Sequence, residues 1–322
     1  MRVTRRALTL ASVMTLTAVS LSACSDDDSS ITFGYIPDYN GASLLAIADE
    51  QGLWEEHGLS AELKVFEDGP TQIQGLGAGD LDFGYIGPGA FWLPASGQTD
   101  IVAIDTLAYA DRVIAQPGIT SMQDLEGKKV AVPEGTSGEM ALGLALEEAG
   151  MSEDDVEMVN MPPTTIVSAF SSGQVDAAGL WYPLIDEIKE NVPDLEEVAS
   201  TRDLEGSSFP TAFVAGDEVS DEVAKKTIAV LQEANDYRAE HPDETIAAAA
   251  RLADVDKDAM AADASNIETL STDSLVTKTQ DGTVDEWLND LGEFFVDSGE
   301  LESVPDPDSY YRGDLYAEAA DK

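Results

Sequence analysis

One pattern occurs twice in this chain, and it fixes most of what the chain can become. The segment Phe33 to Ala42 (FGYIPDYNGA) runs from an apolar strand through a proline, an acid and a polar loop into a helix. The segment Val130 to Gly138 (VAVPEGTSG) repeats that grammar. A second unit follows each: Gly79 to Asp82 (GDLD) after one helix, and Gly173 to Asp176 (GQVD) after another. Pro37 and Pro133 lie 96 residues apart, and Asp82 and Asp176 lie 94 apart. Two similar α/β halves predict two lobes, and two facing lobes predict a cleft for a small molecule.

The N-terminus indicates where such a clamp works. Arg2, Arg5 and Arg6 make a positive region, and Ala7 to Val19 form an apolar stretch too short for a stable membrane span. Leu21-Ser-Ala-Cys24 then resembles the lipobox of bacterial lipoproteins, in which the leader is cut before a cysteine that carries a diacylglycerol. Residues 1–23 are therefore expected to be a signal peptide, and 24–30 a polar tether acylated at Cys24. An ordinary secretory signal with a chance cysteine is the competing reading. Cys24 is the chain's single cysteine, so the exported fold has no disulfide to rely on and rests on its core.

Charge narrows the partners. The chain has 63 acids against 17 Lys and Arg, a formal net charge of −46. That balance excludes nucleic acid, which needs basic patches to neutralise phosphate. A hydrophobic content of 43% points to a folded domain with an acidic coat rather than to disorder.

Apolar periodicity gives strands alternating with helices. Strands are expected over 31–36, 61–66, 81–86, 130–132, 156–159 and 210–215, and helices over 42–51, 70–78, 137–149, 163–172 and 221–241. The chain is expected to cross between lobes near 108–114 and again near 207–214. Lobe 1 then comprises 31–110 and 212–322, and lobe 2 comprises 111–211. Two crossings make a hinge.

Several stretches carry a resemblance that covers nearly all of the chain after the leader. They are Leu76–Gly84 (LGAGDLDFG), Ser121–Pro133 (SMQDLEGKKVAVP), Asn160–Phe170 (NMPPTTIVSAF), Gly173–Trp181 (GQVDAAGLW) and Phe294–Pro305 (FFVDSGELESVP). Together they resemble the substrate-binding lipoproteins of ABC importers, in the nitrate/sulfonate/taurine (SsuA/TauA/THI5-like) family of periplasmic binding proteins. The resemblance implies an α/β fold, a type II two-lobe clamp with two interlobe crossings. It also implies a non-enzymatic receptor, lipid-anchored on the outer side of the membrane, that hands its solute to a permease and ATPase on other chains. No cofactor or metal is expected. The taurine branch looks closest, so taurine or another alkanesulfonate is the first expected ligand. A cationic or neutral nitrogen compound, such as an amine or pyrimidine, is the alternative. A related-fold enzyme of thiamine pyrimidine synthesis and a surface sensor are the rivals from other classes.

Binding chemistry is expected where strands end and helices begin. Asp38, Tyr39 and Asn40 form one such loop, against the reading that they make a plain turn. Gly87 and Pro88 form a second, where the backbone can approach a ligand closely. Thr136, Ser137, Gly138 and Glu139 form the third, an anion-ready set of amides and hydroxyls at a helix start, unless Ser137 merely caps that helix. Trp181 and Tyr182 supply apolar faces, with core packing as the competing role for Trp181. Arg112, at the first crossing, is the nearest base. Phe209 and Thr211 are weaker candidates of the same kind. Asp38, Glu134, Glu139 and Asp186 lie near the supposed pocket, and an acid that faced the cleft would call for an amine on the ligand.

Overall fold

The computed structural model describes residues 30–204 and 207–320. The expected signal peptide and the acylated Cys24 lie outside these residues, as does the tether up to Ser29. Ser30, also given to the tether, already opens the first strand.

Among the described residues there are eleven strands: β1 (Ser30–Tyr35), β2 (Ser60–Val65), β3 (Phe83–Ile86), β4 (Asp100–Ala108), β5 (Asp111–Ala115), β6 (Lys129–Val132), β7 (Glu157–Asn160), β8 (Ala177–Trp181), β9 (Glu196–Ser200), β10 (Pro210–Ala215) and β11 (Ile267–Thr269). They form two sheets, ordered β11-β4-β10-β3-β1-β2 and β7-β6-β8-β5-β9. In each sheet a parallel trio (β2-β1-β3, β7-β6-β8) meets an antiparallel strand, β10 or β5, that has just arrived from the other lobe. The chain passes between sheets after Ala108 and again between Ser200 and Pro210. Pro210 and Thr211, which the sequence assigns to lobe 2, begin β10 of the first sheet.

The repeat has a physical meaning that the sheets make visible. Asp82 Oδ2 accepts the backbone N–H of Thr32 at 2.7 Å, and Asp82 N–H returns to the Thr32 carbonyl at 2.9 Å. Asp176 does the same with Lys129, at 2.9 Å in both directions. Each acid thus pins the start of the first parallel strand of its lobe. Removing a partly buried, charge-assisted bond of this kind costs about 1.5–3 kcal/mol. Asp82→Ala and Asp176→Ala should therefore each lower the thermal midpoint by several degrees, at about 2–4 °C per kcal/mol. Melts that matched the parent would mean these bonds do not hold the lobes.

The first lobe closes over stacked aromatics. Phe33 lies 5.4 Å from Phe83 and 5.6 Å from Phe213, all three fully buried, and each such ring contributes about 1.5–3 kcal/mol through burial. The second lobe packs Ile166, Phe170, Leu180 and Ile185 on one face of its sheet and Val113, Leu125, Leu142 and Leu146 on the other.

One boundary differs in a way that matters for the site. The helix expected from Ala42 runs over Tyr39–Glu50, because Asp38 caps it by accepting the Gly41 N–H at 2.7 Å. Tyr39, Asn40 and Gly41 are first-turn residues rather than an extended loop.

Candidate functional site

Between the lobes lies a cavity lined by Asp38, Asn40, Tyr85, Pro88, Asp111, Thr136, Ser137, Trp181, Tyr182, Thr211 and Asp263, with Ile36, Gly69, Gly87 and three alanines filling in. It measures about 30 Å³ to a water-sized sphere, room for two or three waters at ~10–15 Å³ each. The lobes meet closely around it. A Cβ on Gly89 would fall 2.2 Å from Ser137 N, so only glycine lets these backbones touch. A Cβ on Gly135 would stand 3.4 Å from Trp92, and Thr164 donates to Glu67 at 3.1 Å.

The helix start expected to cradle an anion is already occupied by protein. In the helix Ser137–Glu148 the cap is Thr136, not Ser137: the Thr136 hydroxyl accepts the Gly138 N–H at 3.3 Å and donates to Pro133 O at 2.7 Å. Glu139 turns back to accept the Gly135 N–H at 2.6 Å and does not line the cavity. Gly138 packs against the β8 backbone, where a Cβ would lie 2.5 Å from Gly179 O. Gly89 covers Ser137 N. The Ser137 side chain still faces the cavity.

Other expected residues fall into place as follows. Asp38, Asn40, Gly87, Pro88, Trp181, Tyr182 and Thr211 line the cavity. Asn40 Oδ1 accepts from Thr106, whose hydroxyl also meets that of Thr211 at 2.9 Å. Tyr39 does not line it but donates its N–H to Asp263 Oδ2 at 2.7 Å. Trp181 packs in the lobe 2 core and also lines the cavity. Two protein cations stand near the Tyr182 ring, Arg112 at 5.4 Å and Lys189 at 4.9 Å from its centre, and its hydroxyl donates to Glu197 at 2.6 Å. Phe209 is core, edge-on to Tyr109. Glu134 accepts from Asn160 on the outer groove, and Asp186 lies outside the cavity.

Arg112 also lies outside the lining. Its guanidinium is spent on Glu197 Oε2 at 3.0 Å, Tyr109 O at 2.7 Å, Asp111 O at 2.9 Å and Asn266 Oδ1 at 2.9 Å. Among the described residues lining the cavity, none is Lys or Arg.

What the sequence did not single out are two acids, Asp111 and Asp263. Asp111 opens β5, opposite Trp181 in the β5–β8 register. Asp263 sits in the last turn of the helix Lys257–Ala264, three residues from fully buried Met260. That spacing puts an acid on the helix's buried face, the one signal that could have marked it. Both are buried, at 2% and 1% exposure, and Asp111 Oδ1 and Asp263 Oδ1 have no hydrogen-bond partner. A buried polar atom without a partner is costly.

Burial dominates the proton affinities here. It pushes Asp38 up to about 7, the Gly41 amide pulling the other way and the Asp111 and Asp105 charges adding to the rise. Asp111 is pushed up to about 6 by burial, against the Ser137 hydroxyl and Arg112. Burial raises Asp263 well above the ordinary carboxylate range, helped by the Asp38 and Asp111 charges. The folded chain therefore holds protons on Asp38 and Asp111 up to about pH 7 and about pH 6, whereas unfolded carboxyls release theirs near ~3.9. Stability from this source is full below about pH 4 and is lost as pH rises through the folded values. Without solute, the thermal midpoint is expected to fall between about pH 5 and about pH 7.5. A midpoint that climbed across that window would mean these carboxyls are not proton-loaded.

No trio of His, Cys, Asp or Glu among the described residues is set to share a metal ion.

The family model described as NMT1/THI5 like matches residues 42–245. A candidate binding protein from Brucella abortus is 51% identical over 294 residues, 90% of this chain and 92% of its own length. A candidate aliphatic-sulfonate-binding protein from Bacillus subtilis is 29% identical over 257 residues, 76% of this chain and 77% of its own. Among solved structures, the ligand-binding component of an ABC-type import system from Staphylococcus aureus matches with a TM-score of 0.75 at 13% identity, covering 91% of this chain and 99% of that one. At that identity the likeness concerns the fold.

Proposed function

The chain belongs to the NMT1/THI5-like family, and from that premise and the make-up of its cleft we propose that it is the solute-binding receptor of an ABC importer, with a small, positively charged nitrogen compound as its solute. One observation carries the choice of solute: three buried carboxyls line the cavity, two with an unpartnered oxygen, and no base stands among the lining residues. A sulfonate would have to lose its hydration beside those acids. Its amide cradle is taken up by Thr136, Glu139 and Gly89. An ammonium or amidinium group would supply the missing donors and form charge-assisted bonds with each carboxylate.

Mechanistically, the solute selects the closed form, and closure is what a permease on another chain reads. Cys24 in Leu21-Ser-Ala-Cys24 would tether the receptor by acylation to the outer face of the membrane. No described helix is long and apolar enough to cross it. A Cys24→Ser protein should leave the membrane fraction while keeping its solute affinity.

The reading is tested by calorimetry against taurine, ethanesulfonate, nitrate, choline, ethanolamine and a protonated aminopyrimidine. Binding of an amine with release of protons at pH 6 is expected, because a cation favours the ionised carboxylates. The Bacillus subtilis relative's name favours the opposite arm. Binding of ethanesulfonate, which has no ammonium group, would sink the cationic reading while leaving the receptor.

A further inference from the structure

Arg112 lies just outside the cavity lining, next to Asp111 in the chain, and its contacts connect the two acids that each keep one unpartnered oxygen. Nη1 donates to the Asp111 carbonyl at 2.9 Å and Nη2 to Asn266 Oδ1 at 2.9 Å. Asn266 in turn grips the helix turn that carries Asp263: its N–H donates to Asp263 O at 2.8 Å and its Nδ2 to Ala262 O at 3.1 Å. Its own carbonyl accepts the N–H of Tyr109 in the first crossing at 2.9 Å, and its Oδ1 takes a second guanidinium, Arg202, at 3.3 Å. Asp111, Arg112 and Arg202 belong to the lobe of the second sheet, whereas Asp263 and Asn266 pack with the first. Every polar group of Asn266 is thus engaged, and its partners are the hinge backbone, two lobe 2 arginines and the turn bearing the acid.

We propose that Arg112 and Asn266 are a positioning pair that sets Asp111 and Asp263 towards one another across the hinge. Neither touches the solute. Asp263 has a single side-chain partner, Tyr39 N–H at 2.7 Å, so the turn's placement decides where its free oxygen points. A guanidinium is suited to this role because its planar fork serves several acceptors at once with fixed directions. The basic residue nearest the cleft therefore orders the acids from behind, through Asp111 O and Asn266.

The test reads the Asp263 carboxylate through the amide it holds, in the full chain without solute, so it stands apart from the cationic reading. Asn266→Ala should speed hydrogen exchange of the Tyr39 amide about tenfold. The Gly41 amide, held by Asp38 one turn away, should stay within about twofold. Asn266→Asp keeps the acceptor for both arginines and should restore most of the protection at Tyr39. Arg112→Gln serves as the second variant if Asn266→Ala fails to fold, with the same Tyr39-selective gain expected. Tyr39 and Gly41 accelerating together, or neither changing, would overturn the proposal.

Discussion

Replacing Asp263 by asparagine is expected to make the protein more stable and its solute binding at least about 100-fold weaker. Asparagine matches the size of aspartate and still offers an oxygen to the Tyr39 N–H that Asp263 accepts at 2.7 Å. It removes a carboxyl that burial and the Asp38 and Asp111 charges hold far from its preferred ionised state. Relief of that conflict should raise the thermal midpoint by a few degrees, consistent with the general trade between site function and stability. The same change takes away the negative charge that a cationic group would meet at Asp263 Oδ1, and a buried charge pair with one partner removed loses about 2–5 kcal/mol of binding. Calorimetry with the tightest amine of the panel and a thermal melt together decide the matter. If both stability and affinity fall, Asp263 is a structural residue. If neither moves, it faces no solute.

Arg238→Ala is expected to destabilise the first lobe by about 3–5 kcal/mol, the usual result of leaving a buried charge alone. Arg238, on the helix Asp221–Glu240, and Asp105, on β4, are both 2% exposed and meet at 2.7 Å. The guanidinium also donates to Ser43 at 3.1 Å and to Asn235 at 2.8 Å. One side chain therefore ties the long helix to the sheet and to the helix that Asp38 caps. The pair is not fully satisfied, since Arg238 Nε and Asp105 Oδ2 lack partners. Burial still raises the proton affinity of Asp105, despite the arginine. Removing the whole pair should cost much less than removing one member: Arg238→Met with Asp105→Leu should recover most of the loss. Urea denaturation of the single and double variants measures the difference. A single variant as stable as its parent would show that the pair holds nothing.

These two acids sit in one chain and give opposite expectations, and neither expectation is written in their local sequence. Asp105 has a buried base beside it, Asp263 has none, and the chain has 63 acids to choose from. The lobes are a different case. The repeated strand–proline–helix segments and the paired Asp82 and Asp176 are local signals, and each acts within its own lobe on a strand it can reach at once. Their spacing alone therefore implied two similar α/β units with a cleft between them.

Residues at strand ends, such as Asn40, Pro88, Thr136 and Trp181, were legible for the same reason, because the α/β topology aims those positions at the cleft. Helix capping was legible only in part. The sequence offered Ser137 as a cap only as the competing reading, and the preceding threonine has the backbone geometry to serve. Arg112 was the natural guess for an anion contact, since the sequence shows that a base lies near the hinge but not which acceptors claim it.

Sequence by itself determined the architecture, because hydrophobic period and turn chemistry act over a few residues. Tertiary structure alone decided which charged groups line the cavity. Whether a carboxyl is a solvated surface charge or a binding group depends on which distant residues strip its water and which base stands beside it. Only folding brings Asp38, Asp111 and Asp263 into one cavity and turns Arg112 away from it.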